Sequence, residues 1–402
     1  MSTQPTPMPF AENTAGAYAA SSRRALHHGH AQATQRHAHP SRRDLWRLGA
    51  MSALGAVGIA GAAGMGAPAA QAAGTTTRIG PITGPGLTTA FRMEATDLGI
   101  PVRCPDGRVL YIFGDTFERA GVGLGNAGFW RSPTGLYTDG SHPRDGIRFT
   151  GAVGGETAQQ MIPYEHNANG LGTKIPSDVI EVDGILYLYV WNSGTEGFGT
   201  LKGTEVWSSK DNGATWQPTR ANFPADAWGG IMHNMTWAKH ADGFTYMFCS
   251  KYRSGDLHLF RIKTENLWDA AAYEPWGWTP EKGWAWGQPP SPVLHGRFGE
   301  MCLRELDGRY LLTFFDPEAY NIRAIVMDAP WSDLTVLDQT TLLNGGAWGA
   351  ESDTSVAQLY GSYVVPGSTL GDLHLVVSQW NTTDGAKDTP YHAMHFRFQG
   401  VL

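Results

Sequence analysis

Two aspartates flank the first hairpin-like segment of the chain, and they have the residue type and placement of a catalytic carboxylate pair. Asp97 lies in the segment TDLG and Asp115 in the segment FGDT, with a turn and an apolar run between them. If adjacent antiparallel strands carry them, the hairpin returns both carboxylates to the same end of the sheet. Glycoside hydrolysis uses such a pair, because one acid protonates the leaving oxygen while the other activates water or attacks the sugar. Neighbouring carboxylates also push their pKa values apart, which lets one keep its proton near neutrality.

Glu300 is a third candidate carboxylate. It precedes the apolar segment MCLREL, and Arg304 follows on the same side of the predicted strand. An acid and an arginine on one strand face often form a structural ion pair, and an aspartate after glycine at a strand end is often a turn residue. These structural alternatives stay open when the carboxylates are considered on their pattern alone.

Other polar residues occupy comparable ends of successive repeats and are candidates for binding a substrate. Polar side chains at corresponding strand ends are the pattern expected of a funnel lined by several similar units. Together with Arg304, these candidates are Asp178, His233, Asn234 and Arg253.

The elements that would position these residues are β-strands arranged in repeats. Long segments with helical periodicity are missing, and short β-branched or aromatic runs recur between turn residues. A turn dipeptide followed by an apolar strand occurs five times, at spacings of about 60 to 80 residues. The sequence therefore predicts an all-β, five-bladed β-propeller, with a β-sandwich as the alternative. The five segments are DGRVLYIF from Asp106, DGILYLYV from Asp183, DGFTYMF from Asp242, DGRYLLTFF from Asp307 and GDLHLVVS from Gly371.

One segment carries an independent propeller signal. SKDNGATW, from Ser209 to Trp216, fits the Asp-box pattern S-x-D-x-G-x-T-W. In this pattern Asp211 and Gly213 shape a hairpin turn and the tryptophan packs beneath it. We therefore interpret Asp211 as structural rather than catalytic.

Tryptophans are frequent in the predicted loops and strand ends, where their flat faces could stack on sugar rings. Two or three of them are expected in a binding groove, while the others pack between blades. The insert from Trp276 to Pro292, rich in Trp, Pro and Gly, is the best candidate for a groove wall.

The first 73 residues differ from the rest and are predicted to be a twin-arginine signal peptide with a disordered extension. A polar, His-rich stretch precedes Arg42-Arg43, which is followed by an uncharged Ala/Gly-rich run and a small-residue end at 70–73. A membrane anchor is the alternative, but the run is weakly hydrophobic. Residues 74–402 then form the propeller domain, and the protein is expected outside the cell or at the cell wall, without stable membrane insertion.

The charge of the chain limits its possible binding partners, and its cysteine count bears on disulfide formation. The chain has a net charge of −7, and the predicted signal segment holds six basic against two acidic residues, so the remainder is still more acidic. This balance argues against a nucleic-acid partner. The three cysteines, Cys104, Cys249 and Cys302, are expected as buried thiols. No cofactor and no catalytic metal are expected, a structural calcium ion in the channel stays open, and the protein is expected to be a monomer.

Several motifs together resemble a known family. They are TDLGIP from Thr96, FGDTF from Phe113, SKYRSGDLHLFRI from Ser250, GEMCLREL from Gly299 and VVSQW from Val376. In order and spacing they resemble the family of domains of unknown function 4185 (DUF4185), which is grouped with bacterial endo-D-arabinanases. The resemblance covers essentially all of residues 74–402. The chain departs from the pattern in the loop TEGFGTLKGTE and in the Trp-rich insert, which affects subsite number and linkage preference.

The resemblance implies a five-bladed propeller that cleaves α-D-arabinofuranosyl linkages in arabinogalactan and lipoarabinomannan. It also implies that Asp97 and Asp115 are the catalytic acid and base, with Glu300 as a supporting or alternative carboxylate. Inversion of the anomeric centre is expected by analogy with other arabinan-cutting propellers. Two alternatives remain, a non-catalytic carbohydrate-binding propeller and a sialidase-like exo-glycosidase. The second would require an arginine cluster and a tyrosine nucleophile.

Overall fold

The computed structural model describes residues 74–120, 128–197, 199–380 and 390–402. The described residues form one compact unit. The predicted signal peptide, residues 1–73, lies outside the described residues, so its cleavage and export remain predictions. No helix in the described ranges is long and apolar enough to cross a membrane.

The described residues form a five-bladed β-propeller, which confirms the fold predicted from the repeated hairpins. There are five sheets, and in four of the five blades the strands follow one another outward in chain order. The chain begins with β1 (Thr75–Pro81), which joins the last blade. Blade 1 contains β2 (Leu98–Arg103), β3 (Val109–Phe113), β4 (Thr134–Thr138) and β5 (Gly151–Ala152). Blade 2 contains β6 (Leu171–Val182), β7 (Ile185–Gly194), β8 (Leu201–Ser209) and β9 (Gln217–Phe223).

Blades 3 and 4 follow the same plan and have a fifth strand at the outer edge, whereas blade 5 takes its outermost strand from the start of the domain. Blade 3 contains β10 (Asn234–Lys239), β11 (Phe244–Ser250), β12 (His258–Lys263), β13 (Glu274–Thr279) and β14 (Gly283–Trp286). Blade 4 contains β15 (Met301–Leu306), β16 (Arg309–Asp316), β17 (Asn321–Met327), β18 (Thr340–Gly346) and β19 (Ser355–Ala357). Blade 5 contains β20 (Leu359–Val364), β21 (Asp372–Gln379), β22 (His392–Gln399) and β1.

Helical structure in the described ranges is limited to short 3-10 turns between strands. These turns are Thr89–Phe91, Pro143–Asp145, Ala227–Gly230, Thr264–Asn266, Ala270–Ala272 and Leu334–Val336.

The two ends of the propeller domain meet in blade 5. β1 pairs antiparallel with β22, and Thr75 lies opposite Gln399. The first strand of the domain is therefore the outermost strand of the last blade. This pairing closes the ring by backbone hydrogen bonds between the two ends of the domain.

The core lies between the blades, where the innermost strands are buried on both faces. In β3 every residue is buried, as the continuous apolar run of the sequence predicts, and the innermost strand β20 is also buried throughout. The three cysteines are free and buried, which confirms that expectation. Each innermost strand contacts the next around the ring, in the order β2, β6, β10, β15, β20.

The Asp-box segment is structural, as predicted. It connects β8 to β9, and Asp211 accepts hydrogen bonds from Ser209 and Thr215. Its Asn212 carbonyl accepts a hydrogen bond from the Tyr137 hydroxyl of blade 1 at 3.0 Å. The turn therefore fastens blade 2 to blade 1, and Asp211 lies away from the candidate site described below.

Candidate active site

The candidate site lies at one mouth of the central channel. We call the mouth where the innermost strands begin the first mouth and the one where they end the second mouth. Asp97 and Glu300 immediately precede β2 and β15, and Asp115 comes two residues after β3 ends. The antiparallel pairing of Leu98 with Phe113 brings the start of β2 next to the end of β3, as predicted from the hairpin.

The conformation of the TDLG segment explains how Asp97 is aimed into the first mouth. Leu98 and Gly99 have positive φ angles of 65° and 84°, and the β2–β3 register shifts there by a bulge. A non-glycine residue rarely adopts a positive φ, and bulges of this kind redirect side chains next to functional sites. The backbone N–H of Leu98 donates to Ser378 Oγ at 2.8 Å, which holds the kink against blade 5.

The Asp97 carboxyl group is held on one oxygen only. Its Oδ2 accepts a hydrogen bond from the Tyr360 hydroxyl at 2.7 Å, while Oδ1 is buried and has no hydrogen-bond partner. A methyl group on Gly114 would lie 2.3 Å from this Oδ1. Glycine at position 114 therefore makes the space that the Asp97 carboxyl group occupies.

The Asp115 carboxyl group is fixed by two donors from different parts of the ring. Its Oδ1 accepts hydrogen bonds from Trp130 Nε1 and Thr173 Oγ1, both at 2.8 Å. The Trp130 ring is stacked between His166, with a centroid separation of 3.9 Å, and Phe117, at 6.0 Å. Because Oδ1 already accepts two hydrogen bonds, Oδ2 is the oxygen left to meet a substrate or a water molecule.

The two aspartates influence each other's ionisation. Burial and then the charge of Asp115 raise the pKa of Asp97 to about 7, against the lowering effect of the Tyr360 and Tyr391 hydroxyls. Burial raises the pKa of Asp115 to about 6, while the hydrogen bonds from Trp130 and Thr173 lower it. Asp115 therefore loses its proton first, and its negative charge helps Asp97 to keep its own.

Glu300 lies in the same site and is paired with an arginine. Its Oε1 accepts hydrogen bonds from Arg253 Nη2 at 2.7 Å and from the Tyr252 hydroxyl at 2.8 Å. Its Oε2 is buried without a hydrogen-bond partner. The Arg253 guanidinium lies 5.2 Å from the centroid of the Tyr360 ring, and Tyr360 in turn binds Asp97.

These contacts join all three carboxylates in one constellation. The charge of Glu300 contributes to the raised pKa of Asp97, as does that of Asp115. The structure thus brings together Asp97, Asp115, Glu300 and Arg253, four of the residues singled out in the sequence.

His233 and Asn234 also lie near the first mouth, but in different environments. The His233 ring lies 4.6 Å from that of Trp191 and 5.5 Å from that of Tyr252, and burial lowers its pKa to about 4. It is therefore neutral at pH 7. Asn234 is buried and joins three blades, since it accepts a hydrogen bond from Ser177 and donates one to the carbonyl of Gly299.

Asp178 and Arg304 form a separate pair inside the channel. Asp178 is fully buried and accepts bidentate hydrogen bonds from Arg304 at 2.7 and 3.0 Å. It also accepts a hydrogen bond from Thr236 at 2.6 Å, so it connects the innermost strands of blades 2, 3 and 4. Arg304 lines a cavity of about 520 Å³ at the second mouth. The geometry gives this pair a structural position, and a role in substrate binding stays a prediction.

An ion pair between Glu300 and Arg304, the structural alternative that the sequence left open, does not occur. Residues four apart on an extended strand are separated by roughly 13 Å, which is too far for an ion pair. Arg304 instead reaches Asp178 on blade 2, and Glu300 binds Arg253, which follows β11 on blade 3.

The Trp-rich insert lies elsewhere than expected. It forms β13 and β14, the outermost hairpin of blade 3, and therefore lies at the outer edge of the sheet rather than beside the channel. Besides Trp130, the tryptophans Trp191 and Trp380 lie near the site, because they contact Tyr252 and Tyr391 respectively.

Sequence reasoning missed the hydroxyl and indole groups that hold the carboxylates. Tyr360 comes from blade 5, Thr173 from blade 2 and Trp130 from the connection between β3 and β4. Tyr252 could have been found, because it directly precedes Arg253 in a quoted motif. The others lie in segments without a motif, and the closure of the ring brings them to the site.

The constellation is suited to acid–base chemistry on a neutral substrate. One carboxyl group keeps its proton near neutrality, another ionises at lower pH, and a third is neutralised by arginine. Within the described ranges, no group of three or more His, Cys, Asp or Glu residues is arranged to hold a metal ion.

Comparisons with known proteins agree with this fold. The sequence profile of the family described as domain of unknown function (DUF4185) matches residues 83–397. A 35.9 kDa protein from the asd 3' region of Mycolicibacterium smegmatis is 27% identical over 335 residues, covering 79% of this chain and 97% of that protein. Notoamide biosynthesis cluster protein J' of Aspergillus versicolor is 31% identical over 329 residues, covering 74% and 84%. A solved structure from Bacteroides ovatus, provisionally called a hydrolase, has a TM-score of 0.54 at 13% identity, covering 78% and 87%, and so shares the fold.

Proposed function

The chain belongs to the DUF4185 family, and from this premise we propose that it is a glycoside hydrolase that cleaves α-D-arabinofuranosyl linkages within D-arabinan. The observation that carries the proposal is the aspartate pair at the first mouth, with pKa values of about 7 for Asp97 and about 6 for Asp115. Two carboxyl groups of staggered acidity are what hydrolysis of a glycosidic bond requires. The resemblance to the endo-D-arabinanases supports arabinan as the substrate and cleavage within the chain.

In this proposal Asp97 is the general acid and Asp115 the general base. Asp97 keeps its proton to higher pH, and its Oδ1 has no other hydrogen-bond partner, so it can protonate the leaving oxygen. Asp115 is ionised near neutrality, and its Oδ2 can accept a proton from the attacking water. Attack by water on the opposite face of the sugar inverts the anomeric centre. NMR spectroscopy of the first products should therefore detect the inverted anomer before mutarotation.

Glu300 and Arg253 are proposed to bind the sugar rather than to transfer protons. The Oε1 atom of Glu300 is occupied by Arg253 and Tyr252, which leaves its buried Oε2 to accept a hydrogen bond from a sugar hydroxyl. Such bonds orient the substrate and can strengthen in the transition state.

The electrostatics of the site argue against a sialidase. The ionisable groups that act on Asp97 are two carboxylates and two tyrosine hydroxyls, and the guanidinium of Arg253 is already paired with Glu300. A sugar carboxylate placed there would be repelled by the same charges that raise the pKa of Asp97. A neutral glycan avoids this repulsion.

The deciding experiment compares the protein with its Asp97→Asn and Asp115→Asn variants on mycobacterial arabinogalactan, with chromatography of the released sugars. Asp139→Asn is the matched control, because Asp139 is an exposed blade 1 residue outside the site. We expect arabino-oligosaccharides from the parent and the control, and a loss of at least about a hundredfold in both site variants. Glycan binding without release by the parent would instead indicate a lectin, and release of terminal sialic acid a sialidase.

We also propose that no metal takes part in the reaction, since the two carboxyl groups supply both proton-transfer steps. Activity on arabinogalactan should be unchanged after dialysis against EDTA. Inactivation that is reversed by a divalent cation would contradict this mechanism. Export through the twin-arginine pathway belongs to the same proposal, because the substrate is a cell-wall polymer.

A further inference from the structure

A row of aromatic side chains lies at the outer edge of blade 3, away from the channel. In the β13–β14 hairpin, Trp276 lies opposite Trp286 and Trp278 opposite Trp284. Because side chains alternate along strands, all four indoles lie on one face of the hairpin. The opposite face is closed by the chain itself, since a methyl group on Gly277 would lie 1.8 Å from the carbonyl oxygen of Pro289.

The row continues onto blade 4 through Tyr246. The ring centroids are 5.9 Å apart for Trp284 and Trp276, 4.7 Å for Trp276 and Trp286, and 5.8 Å for Trp286 and Tyr246. Tyr246 then lies 4.8 Å from Trp331, which follows β17 of blade 4. We call this set the aromatic strip. Its members are Trp278, Trp284, Trp276, Trp286, Tyr246 and Trp331.

The aromatic strip is exposed at both ends. The exposed fractions are 51% for Trp278, 46% for Trp284 and 42% for Trp331. Trp276 and Trp284 are nearly parallel, with an angle of 16° between their planes. Single exposed apolar residues are common on protein surfaces, whereas several contiguous indoles indicate a binding surface.

The charged side chains that contact the rings of the aromatic strip are already paired. Arg261 lies over the Trp286 ring at 4.5 Å and forms an ion pair with Glu274 at 2.8 Å. Asp242 accepts a hydrogen bond from the Tyr246 hydroxyl at 2.7 Å and contacts His240. None of these side chains is left to pair with a strongly charged partner. An extended neutral polymer with apolar ring faces matches the aromatic strip better.

We propose that the aromatic strip is a second, non-catalytic binding site for a neutral polysaccharide chain. Sugar rings present an apolar face that stacks on indole, and a linear row of rings suits a linear polymer. Binding there holds the protein on the polymer and raises the local concentration of linkages at the first mouth. That the bound polymer is also the substrate rests on the proposed function, whereas the binding site itself does not.

The test measures retardation of the folded protein in native gels containing D-arabinan, and in parallel gels containing xylan or mannan. The Trp278→Ala/Trp284→Ala variant removes the two most exposed members of the aromatic strip, and Leu87→Ala, at 51% exposure, is the control. We expect the apparent affinity of the double variant for D-arabinan to fall about tenfold, and that of the control to stay unchanged. Hydrolysis of short arabino-oligosaccharides should be equal in all three proteins, because these substrates occupy only the first mouth.

The outcomes separate the aromatic strip from the proposed function. If the double variant loses its retardation and none of the three proteins hydrolyses the substrate, the binding site on the aromatic strip is supported and the proposed hydrolase is rejected. Unchanged retardation in D-arabinan, xylan and mannan would overturn the aromatic strip whatever the activity. Sedimentation gives a further check. If the parent self-associates and the double variant does not, while both are retarded equally in the gels, the aromatic strip is an interface between copies of the chain instead.

Discussion

Asp97 and Asp115 are the same residue type, and their surroundings give them different acidity. Asp115 receives two hydrogen bonds on one oxygen, from Trp130 and Thr173. The hydroxyls of Tyr360 and Tyr391 act on Asp97 in the same sense, but Asp97 also experiences the charges of Asp115 and Glu300. Donors stabilise the ionised form and nearby negative charges destabilise it, so the proton stays on Asp97.

The acidity of the pair predicts a bell-shaped pH dependence of kcat/KM. Below pH about 6 the base Asp115 becomes protonated, and above pH about 7 the acid Asp97 loses its proton, so activity falls on both sides. We expect the maximum between these values. Initial rates on arabinogalactan from pH 4 to 9 would measure it, and a rate that keeps rising above pH 8 would contradict the assignment of Asp97 as the acid.

Replacing Tyr360 by phenylalanine should move the basic limb of this profile. The hydroxyl of Tyr360 lowers the pKa of Asp97, so its removal raises that pKa further. We expect the limb in Tyr360→Phe to shift upward by roughly half to one pH unit, the size of one hydrogen bond. Asp115 receives no hydrogen bond from Tyr360, so the acidic limb should stay in place.

Tyr137→Phe is the matched control for this substitution. This substitution also removes the hydroxyl of a buried tyrosine. That hydroxyl donates a hydrogen bond to the carbonyl of Asn212 in the Asp box. Its loss should lower stability without moving either limb. Equal shifts in the two variants would mean that Tyr360 acts through general stability rather than through Asp97.

At the scale of single elements, bulges in the innermost strands position the site. The registers shift at Leu98/Ile100 in β2, at Leu171/Thr173 in β6 and at Tyr360/Ser362 in β20. The shift in β2 lies beside Asp97. The shift in β6 lies beside Thr173, which binds Asp115, and the shift in β20 lies beside Tyr360, which binds Asp97. A regular strand would alternate its side chains strictly, so the bulges allow these groups to converge.

Gly99→Ala should reduce activity more than its loss of stability explains. Gly99 has φ of 84°, and an added methyl group would lie 2.9 Å from Val376 Cγ1. Relief of this contact requires the TDLG bulge to move, and Asp97 moves with it. We expect stability to fall by about 1–3 kcal/mol and kcat of the folded protein to fall at least tenfold.

Gly107→Ala separates backbone strain from the effect on the site. Gly107 also has a positive φ, of 92°, but lies in the β2–β3 turn with no atom within 4 Å of the added methyl group. It should lose stability and keep kcat per folded molecule. Denaturant unfolding together with rates on arabinogalactan measures both quantities, and equal kcat losses in the two variants would rule out a special role for the bulge.

The blades and the aspartate pair could be predicted because local features determine them. Asp-Gly turns mark the inner hairpins of blades 1 to 4 and Gly-Asp that of blade 5, and the β2–β3 hairpin alone brings Asp97 and Asp115 to one end of blade 1. The partners of the carboxylates could not be predicted, because Thr173 and Tyr360 come from other blades. Their approach depends on how five sheets close into a ring, and no local pattern encodes that geometry.

The same distinction explains why Glu300 is not paired with Arg304 and why the Trp-rich insert lies at the outer edge. Strand alternation places Glu300 and Arg304 on one face, which left an ion pair between them open, but it does not give their distance along the strand. The Trp-rich insert was expected beside the channel from its composition. Its position in chain order within blade 3 determines its place at the outer edge, because successive strands of a blade lie further from the axis.

At the scale of the whole molecule, several buried histidines make the fold sensitive to acid. Burial lowers the pKa of His233, His374 and His392 to about 4 and that of His395 to about 3. His374 and His395 share a hydrogen bond at 2.8 Å, which requires at least one of them to be neutral. The folded protein therefore excludes protons that the unfolded chain accepts.

The free energy of unfolding should consequently decrease on acidification from pH 6.5 to 4. Unfolded histidines bind protons below about 6.5, whereas the buried ones do so only near 4, so the unfolded state gains protons in this window. Asp97 and Asp115 act in the opposite direction, since their raised pKa values favour the folded state as pH falls. Four histidines outweigh two carboxyl groups, and thermal unfolding at pH 7 and pH 4.5 should show a lower Tm at pH 4.5.

Asp97→Asn tests this balance, because it removes one of the opposing groups. Above pH 7 the parent must keep a buried carboxylate ionised beside Asp115, and the neutral amide of the variant avoids this repulsion while its oxygen can still accept a hydrogen bond from Tyr360. We expect the variant to be more stable than the parent at pH 8 by about 1–2 kcal/mol, and to lose stability more steeply between pH 6.5 and 4. Denaturant unfolding of both proteins across this range measures the two slopes. Equal stability at pH 8 would mean that the site retains its charge at no cost to the fold, and would remove the physical basis for a raised pKa at Asp97.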